Sequence, residues 1–488
     1  MNTLSALQSI QSSLSHLASE WVLVCSFFIA LLLDLFVKRK LLIAYLVFTG
    51  LVISGVILYQ DLQQAGASQL LFNSFYQVSA TALKFKLLVV ASSLLWYLPI
   101  LFKNFEYKKI EYLYLIPVFV LSANLLIMSN HFLSIFLGVE FLSIISYLYI
   151  AFDIKNKQSS ESSAKYVLYG AFSSAIMLYG ITWLYGLTGT LYLDATFLSS
   201  LSKMPIDTVG MALLIFSAGF LYKISAVPFH YYSPDVYEGA QANTLGIIST
   251  VPKIAGFAIL FHFIGKFHFN YQGNVLAWPN FPWEKVLAIV AIVSMFIGNL
   301  SALTQKSLKR IFAYSSISHT GFILLALVVY GATGLASLYY YLTIYSISSI
   351  TLFFILQYWE QKYQIVNMKD LIGLVKLEKS SALAMIILLA SFTGLPPLAG
   401  FFAKFFVFSA VFEQYQISTE PWLLYALIAG VLNTVIALFY YFNIARHLYL
   451  IKAEHKIEAV SVLKNETVFI ILMLLLTCSL LYFGLYPF

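Results

Sequence analysis

The sequence predicts an all-α polytopic membrane protein with about 14 transmembrane helices. Two observations lead to this fold class. Hydrophobic residues make up 61% of the 488 residues and charged residues only 10%, a composition far from that of soluble globular domains. In addition, apolar runs of roughly 20 residues, the length that crosses the hydrocarbon core of a bilayer, recur along the whole chain.

The predicted spans form four regions. The spans lie near residues 21–37, 41–60, 79–101, 112–129, 131–152, 166–188, 208–229, 243–265, 285–304, 311–330, 333–357, 382–412, 421–445 and 467–486. The regions are helices 1–3 (1–110), helices 4–8 (111–268), helices 9–13 (269–447) and helix 14 (448–488).

The positions of the basic residues predict an orientation and explain the net charge of +7 without a nucleic-acid partner. Loops after even-numbered spans contain only Lys203, Lys266 and Lys285, whereas loops after odd-numbered spans contain most of the 28 Lys and Arg residues. The positive-inside rule therefore puts both termini outside the cytoplasm. The first 20 residues contain no Lys or Arg, unlike a signal or transit peptide.

A short internal match predicts an inverted repeat. Residues 218–223 read AGFLYK in span 7, and residues 399–404 read AGFFAK in span 12. Spans that are five apart cross the membrane in opposite directions, as in transporters built from inverted repeats. We therefore expect helices 4–8 and 9–13 to form two inverted five-helix repeats.

Prolines predict that helices 7 and 12 are discontinuous. Pro228 follows Lys223 by five residues, and Pro396 and Pro397 precede Lys404. Proline removes a backbone donor and interrupts a helix, and in a bilayer the freed carbonyl groups must face protein, water or a cation. The alternative is that these prolines only kink tilted spans.

Ionisable residues near the middle of the spans are the candidate functional site. Glu140 and Lys253 lie about nine and ten residues into their spans, or roughly 13 and 15 Å deep. With Lys223 and Lys404 they place one acid and three lysines at one depth on helices 5, 7, 8 and 12. A lysine at the centre of a span costs roughly 2.5 to 3.5 kcal/mol of insertion free energy, so a functional reason is expected.

A buried lysine beside a movable acid can act as a switchable proton carrier. Burial disfavours the charged ammonium group, and a nearby carboxylate restores it. Approach and separation of Glu140 would therefore make Lys223 hold or release a proton toward Lys253 and Lys404. His230 and His319 are possible relays, since imidazole titrates near neutral pH; equally, each could be a hydrogen-bonded core residue.

Other features predict no cofactor in this chain. Cys25 and Cys478 have no paired spacing for iron–sulfur, zinc or haem ligation, and no dinucleotide or Walker motif occurs. Lys84 and Lys86 begin span 3, where their long side chains are expected to extend to the lipid headgroups.

Four motifs identify a family. Four segments closely resemble the antiporter-like subunits of NADH-quinone oxidoreductase, respiratory complex I. They are LGVEFLSIISYLYIAF (137–152), VPFHYYSPDVYEGA (227–240), SLKRIFAYSSISHTGF (307–322) and LPPLAGFFAKFFVF (395–408). The superfamily also includes Mrp-type sodium/proton antiporter subunits. The M-type subunit is expected to carry glutamate at the position of Lys404, and the L-type subunit is expected to have a long C-terminal lateral helix that this sequence lacks. These two differences separate the chain from the M-type and L-type subunits.

The resemblance implies proton translocation driven by quinone reduction in other subunits of a bacterial inner-membrane complex. It implies the same four residues as the proton path: Glu140, Lys223, Lys253 and Lys404. NADH, FMN, iron–sulfur clusters and quinone are expected in partner subunits. The expected neighbours are the M- and K-type subunits, the lateral helix of the L-type subunit and the lipid bilayer.

Three other functions remain open from the sequence. A cation/proton antiporter subunit of the Mrp type would share the line of lysines. A structural membrane subunit would hold these charges in fixed ion pairs, and a solute symporter would need a polar substrate cavity, for which the sequence offers no clear candidate.

Overall fold

The computed structural model is a bundle of helices and describes residues 10–36, 40–101, 111–152, 157–272, 281–452, 459 and 466–487, with the backbone alone for 268–272. Within these ranges 13 helices are long and apolar enough to span a membrane. Predicted span 12 is interrupted, and its first half is a shorter apolar helix of 15 residues. The count therefore differs from the predicted fourteen only at this interruption, and the all-α polytopic fold class is confirmed.

The spans are either single helices or interrupted pairs. The single helices are α1 (Ala18–Phe36), α2 (Lys40–Gln63), α3 (Ala80–Leu101), α5 (Phe132–Ala151), α6 (Lys157–Thr188), α9 (Trp283–Thr304), α10 (Leu308–Val328), α11 (Ala332–Tyr363), α13 (Pro421–Tyr449) and α14 (Glu466–Leu485). The interrupted pairs are α4a (Glu111–Tyr114) and α4b (Ile116–Met128), α7a (Ile206–Lys223) and α7b (Tyr232–Gly239), α8a (Ala242–Ile248) and α8b (Val251–Gln272), and α12a (Lys379–Thr393) and α12b (Ala399–Ser418).

Small elements connect some of these helices. Strands β1 (Gln69–Leu71) and β2 (Tyr76–Val78) pair in an antiparallel hairpin between α2 and α3. A short helix covers Ala195–Leu201, and two 3₁₀ turns, Met368–Leu371 and Leu374–Lys376, lie between α11 and α12a.

Burial separates central helices from peripheral ones. In α10 and in the α8 span, 94% of the most apolar window is buried inside the protein, whereas the values for α13 and α14 are 33%. Apolar side chains on the outer helices face the bilayer or neighbouring chains, because polar solvent would not cover such surfaces in a span. The core that positions the site therefore lies around α8, α10 and α11.

Ion pairs fix α7b at the end of the bundle where the basic loops lie. Asp235 Oδ2 accepts from Lys165 Nζ at 2.8 Å, and its Oδ1 lies 3.0 Å from Arg310 Nη1. Burial alone raises the pKa of Asp235, but the two cations outweigh this effect and hold the pKa below its ordinary value. Asp235 therefore stays ionised at neutral pH and ties α7b to α6 and α10.

Several bases behind the predicted orientation lie outside the described residues. These are Lys38, Arg39, Lys103, Lys108, Lys109, Lys155, Lys456 and Lys464.

The expectation for Lys86 was wrong. Lys84 is exposed, but Lys86 is 1% exposed and forms an ion pair with Glu20 Oε1 at 2.6 Å. Ser19 Oγ donates to the other carboxylate oxygen at 2.7 Å, and Asn124 Nδ2 lies 3.4 Å from Oε1. Helix α3 turns Lys86 toward α1 and α4b, so this lysine joins three helices instead of extending to the headgroups.

Lys86→Met is expected to destabilise the protein strongly. The change leaves Glu20 buried and unpaired, and loss of one partner of a buried ion pair costs about 3 to 5 kcal/mol. The melting temperature of the purified assembly should fall for Lys86→Met and stay near wild type for Lys84→Met, which removes an exposed charge two residues earlier. Equal melting temperatures for the two variants would show that the pair does not join the helices.

Candidate functional site

The three lysines predicted at mid-membrane all lie at helix interruptions. Lys223 is the last residue of α7a, Lys253 is the third residue of α8b, and Lys404 of α12b contacts the end of α12a. Their exposed fractions are only 3%, 2% and 4%. Lys223 and Lys404 lie at helix C-termini, where the last carbonyl groups have no helical partners and attract a buried ammonium group. Lys253 lies in the first turn of α8b, where the free backbone groups are N–H donors, so its partners must come from another helix.

Lys253 is held by neutral oxygen atoms on α10. Its Nζ donates to the Ser316 carbonyl at 2.7 Å, to Ser316 Oγ at 2.6 Å and to Thr320 Oγ1 at 2.8 Å. The ring of Tyr345 lies 5.2 Å from the same nitrogen. These three acceptors match the three donors of an ammonium group, so the site can hold a charged lysine without a carboxylate.

Lys404 closes the interruption of span 12. Its Nζ donates to the carbonyl groups of Phe392 at 2.9 Å and Thr393 at 3.0 Å, in the last turn of α12a. The ring centre of Phe322 is 4.7 Å away. Gly394, with φ of +87°, ends α12a where a Cβ would lie 3.2 Å from Lys404 Cδ. The lysine therefore caps the broken helix from across the gap.

Lys223 and Glu140 have fewer contacts than the other members of the site. Lys223 Nζ and Glu140 Oε1 are buried and have no hydrogen-bond partner among the described residues. Glu140 acts electrostatically on Lys223, but the two do not approach within the 4.0 Å of an ion pair. Buried polar atoms need partners, so this acid and lysine occupy the least satisfied part of the site.

Thr320 joins the break in span 7 to Lys253. Its Oγ1 donates to the Ile224 carbonyl at 2.8 Å, immediately after Lys223, and accepts from Lys253 Nζ. Close contact between α7a and α8b depends on Gly256, where an added Cβ would lie 2.7 Å from Ile224 Cγ2 and 3.4 Å from Lys223 Cβ. The two lysines are thus positioned against each other by one threonine and one glycine.

Gly256→Ala is expected to push α8b away from the end of α7a. Overpacking at such a contact costs about 1 to 3 kcal/mol and moves the backbone. The melting temperature and the rate of proton transport should both fall. Gly186→Ala is the matched control, because a Cβ at this helical glycine of α6 meets nothing within 4 Å. Identical behaviour of the two variants would contradict the close approach.

The structure places the two histidines differently. His319 lies between the lysines, with Nδ1 2.9 Å from Tyr341 Oη and Nε2 3.2 Å from Tyr441 Oη. It is on the same turn of α10 as Ser316 and Thr320, and its ring lies 5.2 Å from that of Phe392. His230 is buried beside the span 7 break, has no Nδ1 partner among the described residues, and makes no described hydrogen bond to a lysine.

The prolines lie inside the two interruptions. Pro228 is between α7a and α7b, and Pro396 and Pro397 are between α12a and α12b. Lys223 precedes its break, whereas Lys404 follows its own, so the short match of AGFLYK and AGFFAK does not put the lysines at equivalent positions. Their common feature is a position beside the C-terminal end of a helix; Lys404 Nζ bonds to carbonyl groups there, whereas Lys223 Nζ has no hydrogen-bond partner among the described residues.

Some parts of the site were not predicted. The break between α8a and α8b, at Ser249 and Thr250, lies just before Lys253. Pro252, the second residue of α8b, was the missed signal, because its ring cannot pack against the carbonyl of Ile248, where α8a ends. Ser316 and Thr320 were also missed, although they are four residues apart in the polar stretch SSISHT of an apolar span, a spacing that puts them on one helix face.

Comparisons with known proteins agree on one family. The family model described as NADH:quinone oxidoreductase/Mrp antiporter, TM, matches residues 129–436. NADH-quinone oxidoreductase subunit N 2 of Sorangium cellulosum is 35% identical over 91% of this chain and 90% of its own length. The protein of the same name from Chloroherpeton thalassium is 34% identical over 98% and 93%.

Solved structures share the fold. A chain of respiratory complex I from Thermus thermophilus with bound aureothin gives a TM-score of 0.77 at 25% identity, covering 96% of this chain and 97% of that chain. A chain of the Mrp complex from Dietzia gives a TM-score of 0.79 at 19% identity, covering 96% and 94%; at this identity only the fold is comparable.

The relatives with the name subunit N are subunits of NADH-quinone oxidoreductase, and their similarity extends over nearly the whole chain. This chain belongs to the NADH:quinone oxidoreductase/Mrp antiporter family of membrane subunits, and its curated relatives are of the N type.

Proposed function

We propose that this chain is a proton-translocating membrane-arm subunit of NADH-quinone oxidoreductase and that protons move along Glu140, Lys223, Lys253 and Lys404. One observation carries the proposal: three buried lysines occupy three helix interruptions, and Thr320 and His319 lie between them. A chain used only as a structural support has no need for unpaired buried charges, which are costly in a membrane.

The first step of the proposed path is an exchange between Glu140 and Lys223. Burial disfavours the ammonium group, and an approaching carboxylate stabilises it. When Glu140 approaches, Lys223 holds its proton; when the pair separates, the proton passes toward Lys253. Neither Lys223 Nζ nor Glu140 Oε1 has a hydrogen-bond partner within the described part of the chain, which supports a pair with more than one arrangement.

The second step connects Lys253 with Lys404 through His319. Tyr345 and Ser316 lie at Lys253, and His319 is hydrogen-bonded to Tyr341 and Tyr441. A small cavity lies between His319 and Lys404. The centre of a water molecule can occupy about 10 Å³ of it, which is enough for roughly one water. A hydroxyl, an imidazole and one water would then relay the proton to the helix end at Lys404.

The driving force must come from partner subunits. Moving one charge against 100 mV costs about 2.3 kcal/mol, and the described residues contain no cluster of ligands for a metal ion. NADH, FMN, iron–sulfur clusters and quinone would be in the partners. Neighbours of the M and K types, and the lateral helix of the L-type subunit, would place the chain in a bacterial inner membrane with both termini periplasmic.

The proposed organisation has two inverted repeats, residues 111–268 and 269–447, around this line. The first repeat would contribute the interrupted helices α7 and α8, with Lys223 and Lys253 at the breaks, and the second would contribute α12, with Lys404 beside its break. Inverted repeats place such breaks near the bilayer midplane, which is the depth that a proton path with access to both sides requires.

Transport driven by NADH, and not by a sodium gradient, would separate this function from that of an Mrp-type antiporter subunit. In inverted membrane vesicles, NADH is expected to drive acidification of the interior at the same rate with and without sodium. A sodium gradient alone should move no protons through this complex. Sodium-dependent proton movement in the absence of NADH would instead support the antiporter function.

A further inference from the structure

A cavity of about 230 Å³ opens at the basic end of the bundle, away from the line of lysines. It lies between α9, α13 and the 3₁₀ turn Met368–Leu371. Its polar lining includes Gln305, Asn443 and Arg446, and its apolar lining includes Leu303 and Phe439. The size suits a phosphate group with part of a glycerol backbone more than a single ion.

The cations at this cavity have no acidic partners. Arg446, Lys306 and Lys369 form no ion pair with any residue in the described ranges. Lys306 and Lys369 follow the lining residues Gln305 and Met368, and the Met368 N–H donates to the Lys306 carbonyl at 3.0 Å. Other bases at this end of the bundle are paired with carboxylates: Lys165, Lys309, Arg310 and Lys362.

An amide group is also available beside Arg446. Asn443 Nδ2 has only Met368 Sδ, at 3.7 Å, as a partner among the described residues, and a thioether sulfur is a weak acceptor. Asn443 precedes Arg446 by three residues, so both side chains lie on one face of α13. A guanidinium group and a free amide N–H together are suited to an anionic oxygen cluster.

Apolar side chains continue from the cavity toward the membrane interior. Phe439 precedes Arg446 by seven residues on α13, or roughly 10 Å along the helix axis. Phe439, Phe442 and Leu303 are 60%, 57% and 44% exposed on the outer surface of the bundle. The order along the helix, cationic at the end and apolar about two turns deeper, matches the order of headgroup and acyl chain in a phospholipid.

We propose that this cavity binds one anionic phospholipid from the leaflet at the basic end of the bundle. The phosphate lies at Arg446 and Asn443, Lys306 and Lys369 flank the headgroup, and an acyl chain runs along Phe439, Phe442 and Leu303. The unpaired cations favour this occupant over a zwitterionic lipid, because each adds electrostatic attraction to a net negative headgroup.

A simpler role for Arg446 makes a different prediction. Arg446 is in the last turn of α13, where a cation offsets the negative end of the helix dipole. If this were its whole role, the charge would matter for helix stability but would give no preference among lipids.

Photo-crosslinking tests the proposal in the assembled complex. The purified complex is placed in nanodiscs of phosphatidylcholine with a trace of photoactivatable phosphatidylglycerol, and labelled peptides are quantified by mass spectrometry. Adding unlabelled phosphatidylglycerol to the nanodiscs should reduce labelling of the α9 and α13 peptides. Adding the same amount of phosphatidylcholine, or inorganic phosphate in large excess over the labelled lipid, should not.

Variants distinguish lipid binding in this cavity from nonspecific attraction between anionic lipid and basic residues elsewhere on the protein. Arg446→Gln should lower this labelling about tenfold, as expected for the loss of a charge-assisted contact, and Lys84→Gln, at an exposed base elsewhere, should leave it unchanged. Leu303→Trp, at an exposed position, should fill the apolar part and lower labelling without altering charge. Equal competition by phosphatidylcholine, displacement by inorganic phosphate, or unchanged labelling in both Arg446→Gln and Leu303→Trp would overturn the proposal.

Discussion

Lys223→Met is expected to reduce NADH-driven proton transport by at least about a hundredfold, the lower end of the range for loss of a positioned proton-transfer group. Methionine fills a similar volume but cannot hold a proton, so Glu140 loses the group with which it exchanges. NADH oxidation should fall as well if electron transfer and proton movement are tightly coupled. The measurement is the initial rate of acidification of inverted vesicles with matched amounts of assembled complex.

Two further variants define what this result means. Lys84→Met removes an exposed lysine and should pump at the wild-type rate. Glu140→Gln removes the proposed partner and should resemble Lys223→Met, because the carboxylate can no longer stabilise the ammonium group. Wild-type transport in Lys223→Met at full assembly would mean that this lysine is structural.

Lys404→Met is the second variant with a large expected effect. Lys404 donates to the Phe392 and Thr393 carbonyl groups, so its loss removes both the proposed terminal proton carrier and the cap of α12a. We expect proton transport to fall by at least about a hundredfold and the melting temperature to fall moderately, since each lost hydrogen bond to a charged group contributes about 1.5 to 3 kcal/mol.

The two roles of Lys404 can be separated. Lys404→Arg keeps a cation that can cap α12a but cannot release its proton, because guanidinium stays protonated in proteins. A carrier role predicts that Lys404→Arg restores the melting temperature toward wild type while transport stays low. Full transport in Lys404→Arg would contradict the carrier role and leave Lys404 as a helix cap.

The sequence predicts most of the architecture because membrane insertion is a strong constraint. An apolar run of span length has few alternatives to a transmembrane helix, so the positions of the helices follow from composition. The four ionisable residues were also identifiable, since Glu140, Lys223, Lys253 and Lys404 are out of place in apolar helices. Proline marked the breaks in spans 7 and 12, where a missing backbone donor leaves a visible signal.

The features of the site that the sequence did not predict depend on contacts between helices. The acceptors Ser316 and Thr320 become relevant only when α10 packs against α8b. The break in span 8 is different, because Pro252 closely follows it and was overlooked. Lys86 is buried in an ion pair because it meets Glu20, which is 66 residues earlier in the chain. Lys84 and Lys86 look alike in sequence, but only the rotation of α3 against α1 distinguishes them.

The ratio of protons moved to NADH oxidised tests the central claim most directly. It should be measured in vesicles that contain wild type, Lys223→Met or Lys84→Met complex, with both quantities followed in the same sample and normalised to assembled complex. If the buried lysines carry protons, the Lys223→Met complex loses proton movement, with NADH oxidation lost or left uncoupled, and the Lys84→Met complex matches wild type. An unchanged ratio at an unchanged rate in Lys223→Met would contradict the proton path through the three helix breaks.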